Sequence, residues 1–199
     1  TVITTANPEK WIRFLTDHAG WELRHHGRLQ SGEKELWNLA ASANGKTILL
    51  ANKDSTTGFI RLVSLKGVKQ GYIRADDRPW DTGGIFDLNM RVVGLYKLRK
   101  KLLAEGWQGE SEPIQYVFGP FEVIEWIARG PDGVRIAFIE RLKPALEGWP
   151  HVKKTSRVFN STTIVKDMKA SRVFFEDVLG MKPYLLNNKP SDKAGPNVL

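Results

Sequence analysis

Apolar positions along the chain follow two alternating rhythms. Three stretches carry helical spacing, and each is closed by a glycine. In the first, Asn7 stands as a cap and Pro8 takes the first helical position, while Trp11, Phe14 and Leu15 share a face and Gly20 is the stop. In the last, Asp167 is the cap, Val173, Phe174, Val178 and Leu179 form the stripe, and Gly180 ends it; thirteen residues separate cap from glycine in both. The middle stretch, Leu88 to Trp107, repeats strand, turn, helix and glycine, with Gly94 at the turn and Leu95, Leu98, Leu102 and Leu103 on the buried side.

Strand-like segments follow each helix. After Gly20 these are 21–29, 35–40, 47–51 and 59–65; after Gly106 they are 114–117, 122–129 and 134–141, the last two joined at the Pro131-Asp132-Gly133 turn. A complete unit therefore reads strand, helix, then three strands. This places one unit at residues 1–66 and a second at 83–141, with linkers at 67–82 and 142–156. A partial third unit occupies 157–199, with 182–186 as its one further strand. Half a unit leaves a sheet edge unpaired, so the natural chain is expected to continue, in preference to completion of the sheet by another chain.

The βαβββ order, the Asp167–Gly180 stretch with its Phe174-Phe175 pair, and the run Pro131-Asp-Gly-Val-Arg-Ile-Ala-Phe-Ile-Glu140 resemble the vicinal oxygen chelate superfamily. That superfamily includes glyoxalase I, bleomycin-resistance proteins and extradiol dioxygenases. The resemblance implies an α+β fold in which repeated βαβββ units pair into a cup-shaped mixed sheet, with the third unit incomplete here. It also implies a divalent metal, held by residues of the first strands and by a carboxylate near the end of a last strand. On that mapping Glu140 stands at the carboxylate position. Asp87 and Asn160 stand where the family commonly has histidine, and Asn160 would serve an equivalent site only with a complete third unit. Oxygen ligands favour Mg²⁺, Mn²⁺ or Ca²⁺ over zinc or ferrous iron, and the alternative is no metal.

The strand period of two puts Asp87, Asn89 and Arg91 on one face and Leu88, Met90 and Val92 on the other. Val134, Ile136, Phe138 and Glu140 likewise share a face. Asp87 and Glu140 are expected to converge as metal ligands, with Asn89, Arg91, Trp126 and Phe138 lining a ligand cavity. The plainer alternatives are an ion pair with Arg91 or Arg135 for the carboxylates, and ordinary core for the aromatics. His25 and His26 are adjacent in a strand and point apart, His18 sits at a helix end and His151 in a linker, so none is expected as a ligand.

Composition narrows these classes further. The absence of cysteine excludes disulfides, thiolate metal sites and cysteine nucleophiles. No apolar run approaches the roughly 20 residues that cross a bilayer, and the reading is of a cytoplasmic protein without a membrane partner. The net charge of +8 invites a nucleic-acid reading. The excess runs +5, −2 and +5 over 1–75, 76–150 and 151–199, which a solvated basic surface explains, and nucleic acid is not an expected partner. The functional expectation is a protein that binds a small organic ligand or substrate, with metal-assisted lyase, isomerase or ring-cleaving chemistry if it is an enzyme. The alternatives are a metal-free protein that sequesters a small molecule and, from a different class, a basic nucleic-acid-associated module. A homodimer is one assembly this reading allows.

Overall fold

Two runs follow one another in the chain, the first of strand, helix and three strands and the second of strand, helix and four, one of them only two residues long. The computed structural model describes residues 1–74, 76–78, 80–149 and 152–186. His151 and the segment 187–199 lie outside the described residues.

The first run holds β1 (Val2–Thr4), α1 (Pro8–Arg13) prolonged by a π turn at Phe14–His18, β2 (Trp21–Arg28), a short α2 (Ser31–Leu36), β3 (Asn44–Asn52) and β4 (Ile60–Lys66). Its four strands lie in the order β1-β4-β3-β2, with β1 parallel to β4. The second run holds β5 (Asp87–Val92), α3 (Leu95–Ala104), β6 (Gln108–Gly109), β7 (Ile114–Phe118), β8 (Phe121–Arg129) and β9 (Arg135–Lys143). Again the first strand, β5, lies parallel to the last, β9, which pairs with β8. The architecture is α+β with two mixed sheets.

β10 (Thr155–Thr162) makes the second sheet six-stranded by pairing antiparallel with β5, and α4 (Met168–Val173) follows it into a π turn at Phe174–Val178. The two first strands that meet within a sheet are thus β5 and β10, while β1 pairs with β4 in a separate sheet.

Local chemistry explains where the chain departs from the pattern. Residues 35–40, expected as a strand, contribute instead to α2 and the turn after it, because the Gln30 amide donates to the Glu33 carboxylate at 2.8 Å and starts a helix there. No strand forms over 182–186, since a strand exists only in a ladder and none of the described strands pairs with this segment. Asp167 caps α4 through the Ala170 amide at 2.9 Å. Asn7 does not cap α1: its side-chain amide donates to Asp132 at 2.9 Å, across the two runs.

One core serves both sheets. Trp11, Phe14 and Leu15 of α1 and its π turn are fully buried, against Leu50, Ile60 and Leu62 of the first sheet and Met90, Ile136 and Phe138 of the second. The Phe14 ring lies 4.8 Å from that of Trp107 and 5.9 Å from that of Phe138. Leu95, Leu98 and Leu102 of α3 close the same core. Phe174, Phe175 and Leu179 occupy the corresponding positions after the α4 cap, yet remain about half exposed.

Candidate functional site

The six-stranded sheet has one face under the helices and one away from them. Register pairs Leu88 with Ile136 and Met90 with Phe138, and these four side chains belong to the core. The alternate set pairs Asp87 with Arg135, Asn89 with Ala137 and Arg91 with Ile139, so these lie on the face away from α3. Glu125 joins them from β8, because it is the register partner of Ile139.

The structure does not bring the two expected metal ligands together. Glu140 lies on the helix face with Phe138, where its two oxygens accept from the Gly94 and Leu95 amides at 2.8 Å each. There it caps the exposed N–H groups that begin α3, with its negative charge at the positive end of the helix dipole. Asp87 is on the opposite face. The same alternation separates the expected cavity residues. Trp126 and Phe138 are core, 1% and 0% exposed and stacked on each other, whereas Asn89 and Arg91 share the face of Asp87. The sequence placed Glu140 with Phe138 correctly; the face that pair occupies is the one under the helix.

What gathers on the face away from α3 is a row of polar groups, two members of which escaped notice in the sequence. Tyr116 of β7 donates its hydroxyl to the Glu125 carboxylate. Burial is the main cause that pushes the Glu125 carboxyl up to about 7, with the charge of Asp87 adding to it. Burial and the neighbouring Glu125 charge also raise the Tyr116 phenol. Arg91 and Arg141 stand close enough that, after burial, the charge of Arg141 is the next cause that lowers Arg91. Arg91 lies over the Phe159 ring at 4.6 Å and Arg141 over Phe121 at 3.8 Å. The two that escaped notice are Glu125, which did leave a signal as a lone carboxylate in the apolar run Val123–Ala128, and Arg141, which left none; Tyr116 was legible as one of the aromatics able to line a cavity.

At the strand starts, a cavity of about 480 Å³ opens between β1 and the beginnings of β5 and β9, walled by Phe86, Asp87, Arg135, Ile73 and Arg74. Arg135 has a fully buried side chain and a partner at each of its three nitrogens: it donates to Glu110 and to Asp77 at 2.6 Å each, and to the Asp77 carbonyl at 2.8 Å.

This topology, with parallel first and last strands in each run, can be set beside known structures. The chain superposes on a glyoxalase family protein from Bacillus cereus with a TM-score of 0.60 at 17% identity, covering 71% of this chain and 91% of that one. It superposes on glyoxalase I from Zea mays with a TM-score of 0.60 at 19% identity, covering 91% of this chain and 54% of that one. The fold is glyoxalase-like. The chain spans about half the length of the maize enzyme. No family model matches the sequence, and no curated protein matches it.

A glyoxalase-like fold raises the question of a divalent metal, and the donors answer it. Both Glu140 oxygens are committed to α3. Asp87 is 3% exposed and accepts from the Asn89 side-chain amide at 3.1 Å, and burial raises its pKa. Glu125 is held by Tyr116 and is itself shifted toward the protonated form. Among the described residues no three Asp, Glu or His side chains gather as a metal ion requires. This donor set, flanked by Arg91, Arg135 and Arg141, does not fit a divalent cation.

Proposed function

We propose that this protein belongs to the vicinal oxygen chelate superfamily as a binder of small organic molecules. Its ligand is held on the face of the six-stranded sheet that carries Arg91, Tyr116, Glu125 and Arg141, by side-chain hydrogen bonds and charge and without a metal. The observation that carries the reading is the Tyr116–Glu125 pair, a half-buried, hydrogen-bonded acid set between apolar Ile114 and Ile139 on the face of the sheet away from α3. Sites for small molecules are mostly apolar surfaces with a few convergent polar groups of shifted pKa, and this face has that composition. Fold likeness supports the superfamily; it does not choose a reaction, because one scaffold hosts many.

With a pKa near neutrality, Glu125 can take or give a proton at physiological pH. A ligand seated here would meet an acid–base group, so sequestration and proton transfer use the same residues. The test is a fragment screen followed by amide chemical-shift mapping. Hits are expected to move amides of β5, β7, β8 and β9. Hits that cluster on the first sheet, or only around the cavity at Phe86 and Ile73, would overturn the assignment.

A further inference from the structure

We infer that the ligand of this face is a small organic anion with an apolar body, its charged end seated between the guanidiniums of Arg91 and Arg141; the inference rests on the binding reading given above. The argument starts from a contrast within one sheet. Arg135, fully buried, has two carboxylates and a carbonyl around it. Among the described residues, no guanidinium nitrogen of Arg91 or Arg141 makes a hydrogen bond or ion pair, although both side chains are half-buried and the Nε of each is shut off from solvent. Two neighbouring like charges, partly desolvated and opposed only by Glu125, whose carboxyl is itself shifted toward its neutral form, are costly to hold in place. A bound anion removes that cost.

The carboxylates nearby compensate the pair only in part. Glu125 acts on Arg91 but accepts from the Tyr116 hydroxyl, makes no hydrogen bond to either guanidinium and is shifted toward its neutral form. Glu122 takes Gln115 at 2.6 Å and Lys143 at 3.5 Å. Glu140 is on the other side of the sheet, capping α3. The rings of Phe159 and Phe121 fix the guanidinium planes, so the two cations are oriented before any ligand arrives. Beside them lies Ile139, the register partner of both Arg91 and Glu125 and two residues before Arg141 on β9, which supplies an apolar floor for the body of the ligand. An anion held this way reaches toward Glu125, whose protonated form would receive it more readily than its charged form. Carboxylates and phosphate monoesters share the required chemistry, two or more oxygens that accept from guanidinium forks.

The experiment uses benzoate and phenyl phosphate as anionic probes and benzamide as the neutral control. Binding is measured by calorimetry and amide shift mapping on the whole chain, with wild type, Arg91→Gln, Arg141→Gln and Arg141→Lys. At least one anion is expected to bind about tenfold or more tightly than benzamide, to weaken with added salt, and to lose about tenfold or more in either glutamine variant while benzamide is unaffected. Arg141→Lys should recover part of the loss. If Arg91→Gln fails to fold, the two Arg141 variants carry the comparison. Benzamide binding as tightly as the anions on the same amides would overturn this inference and leave the binding reading standing. Anion affinity indifferent to both arginines would do the same. No probe moving any amide of β5, β8 or β9 would overturn both.

Discussion

Replacing Glu125 with glutamine keeps the size of the side chain and an oxygen for the Tyr116 hydroxyl, and removes the ionisable group. In the folded protein this carboxyl titrates at about 7, against 4.5 for a free glutamate. A carboxyl whose folded value lies above its unfolded value holds more protons in the folded state. Stability is therefore unpenalised below pH 4.5, falls as pH rises between 4.5 and about 7, and carries the full penalty above that window. The gap between the two values, at about 1.4 kcal/mol per pH unit, corresponds to roughly 3 kcal/mol. Water that reaches the half-buried group screens part of it, so the expected gain from Glu125→Gln at pH 8 is about 1–3 kcal/mol, shrinking toward zero at pH 4.5. Asp87, also raised by burial, leaves a slope of the same sign in both proteins, and the difference between them reports Glu125 together with its coupling to Asp87. Urea denaturation at half-unit steps from pH 4.5 to 8 measures it. Stability curves that run parallel across this range, or a variant less stable than wild type at pH 8, would refute the reasoning about burial.

Other perturbations test the rest of the frame. Arg135→Met strands Asp77 and Glu110 around an apolar side chain, and thermal denaturation should show a loss of about 2–4 kcal/mol. Glu140→Ala removes the acceptor from the first amides of α3 and should cost about 1 kcal/mol by urea titration, while benzoate affinity stays at the wild-type value. Phe14→Ala opens a void in a site with no exposed surface, and should cost about 3–5 kcal/mol in the same assay.

Topology was legible because it is written in short-range chemistry. Helical spacing before Gly20, Gly106 and Gly180, and the Pro131–Gly133 turn between β8 and β9, are local signals that the structure repeats. The candidate site depended on which face each strand turns to the helix, and this is a property of register. Asp87 and Glu140 are each on a strand with strict alternation, and a reading one step off in the pairing of β5 with β9 moves a carboxylate from one side of the sheet to the other. The Arg91–Arg141 pair was invisible for a different reason. Being unpaired is a statement about every neighbour in space, and the chain records only neighbours in sequence.

The position of Phe14, between the first sheet and the Trp107 and Phe138 rings of the second, has a consequence for how the molecule comes apart. Internal repetition suggests pieces that could be separated, reshuffled or expressed alone. A helix buried against both sheets ties their fates together, because neither can lose it without exposing the apolar surface of the other. Melting should then be a single cooperative transition seen alike by tryptophan fluorescence and far-ultraviolet dichroism. A polypeptide of residues 1–66 by itself should behave as a partly ordered chain with exposed tryptophan, its repeated element order conferring no autonomy.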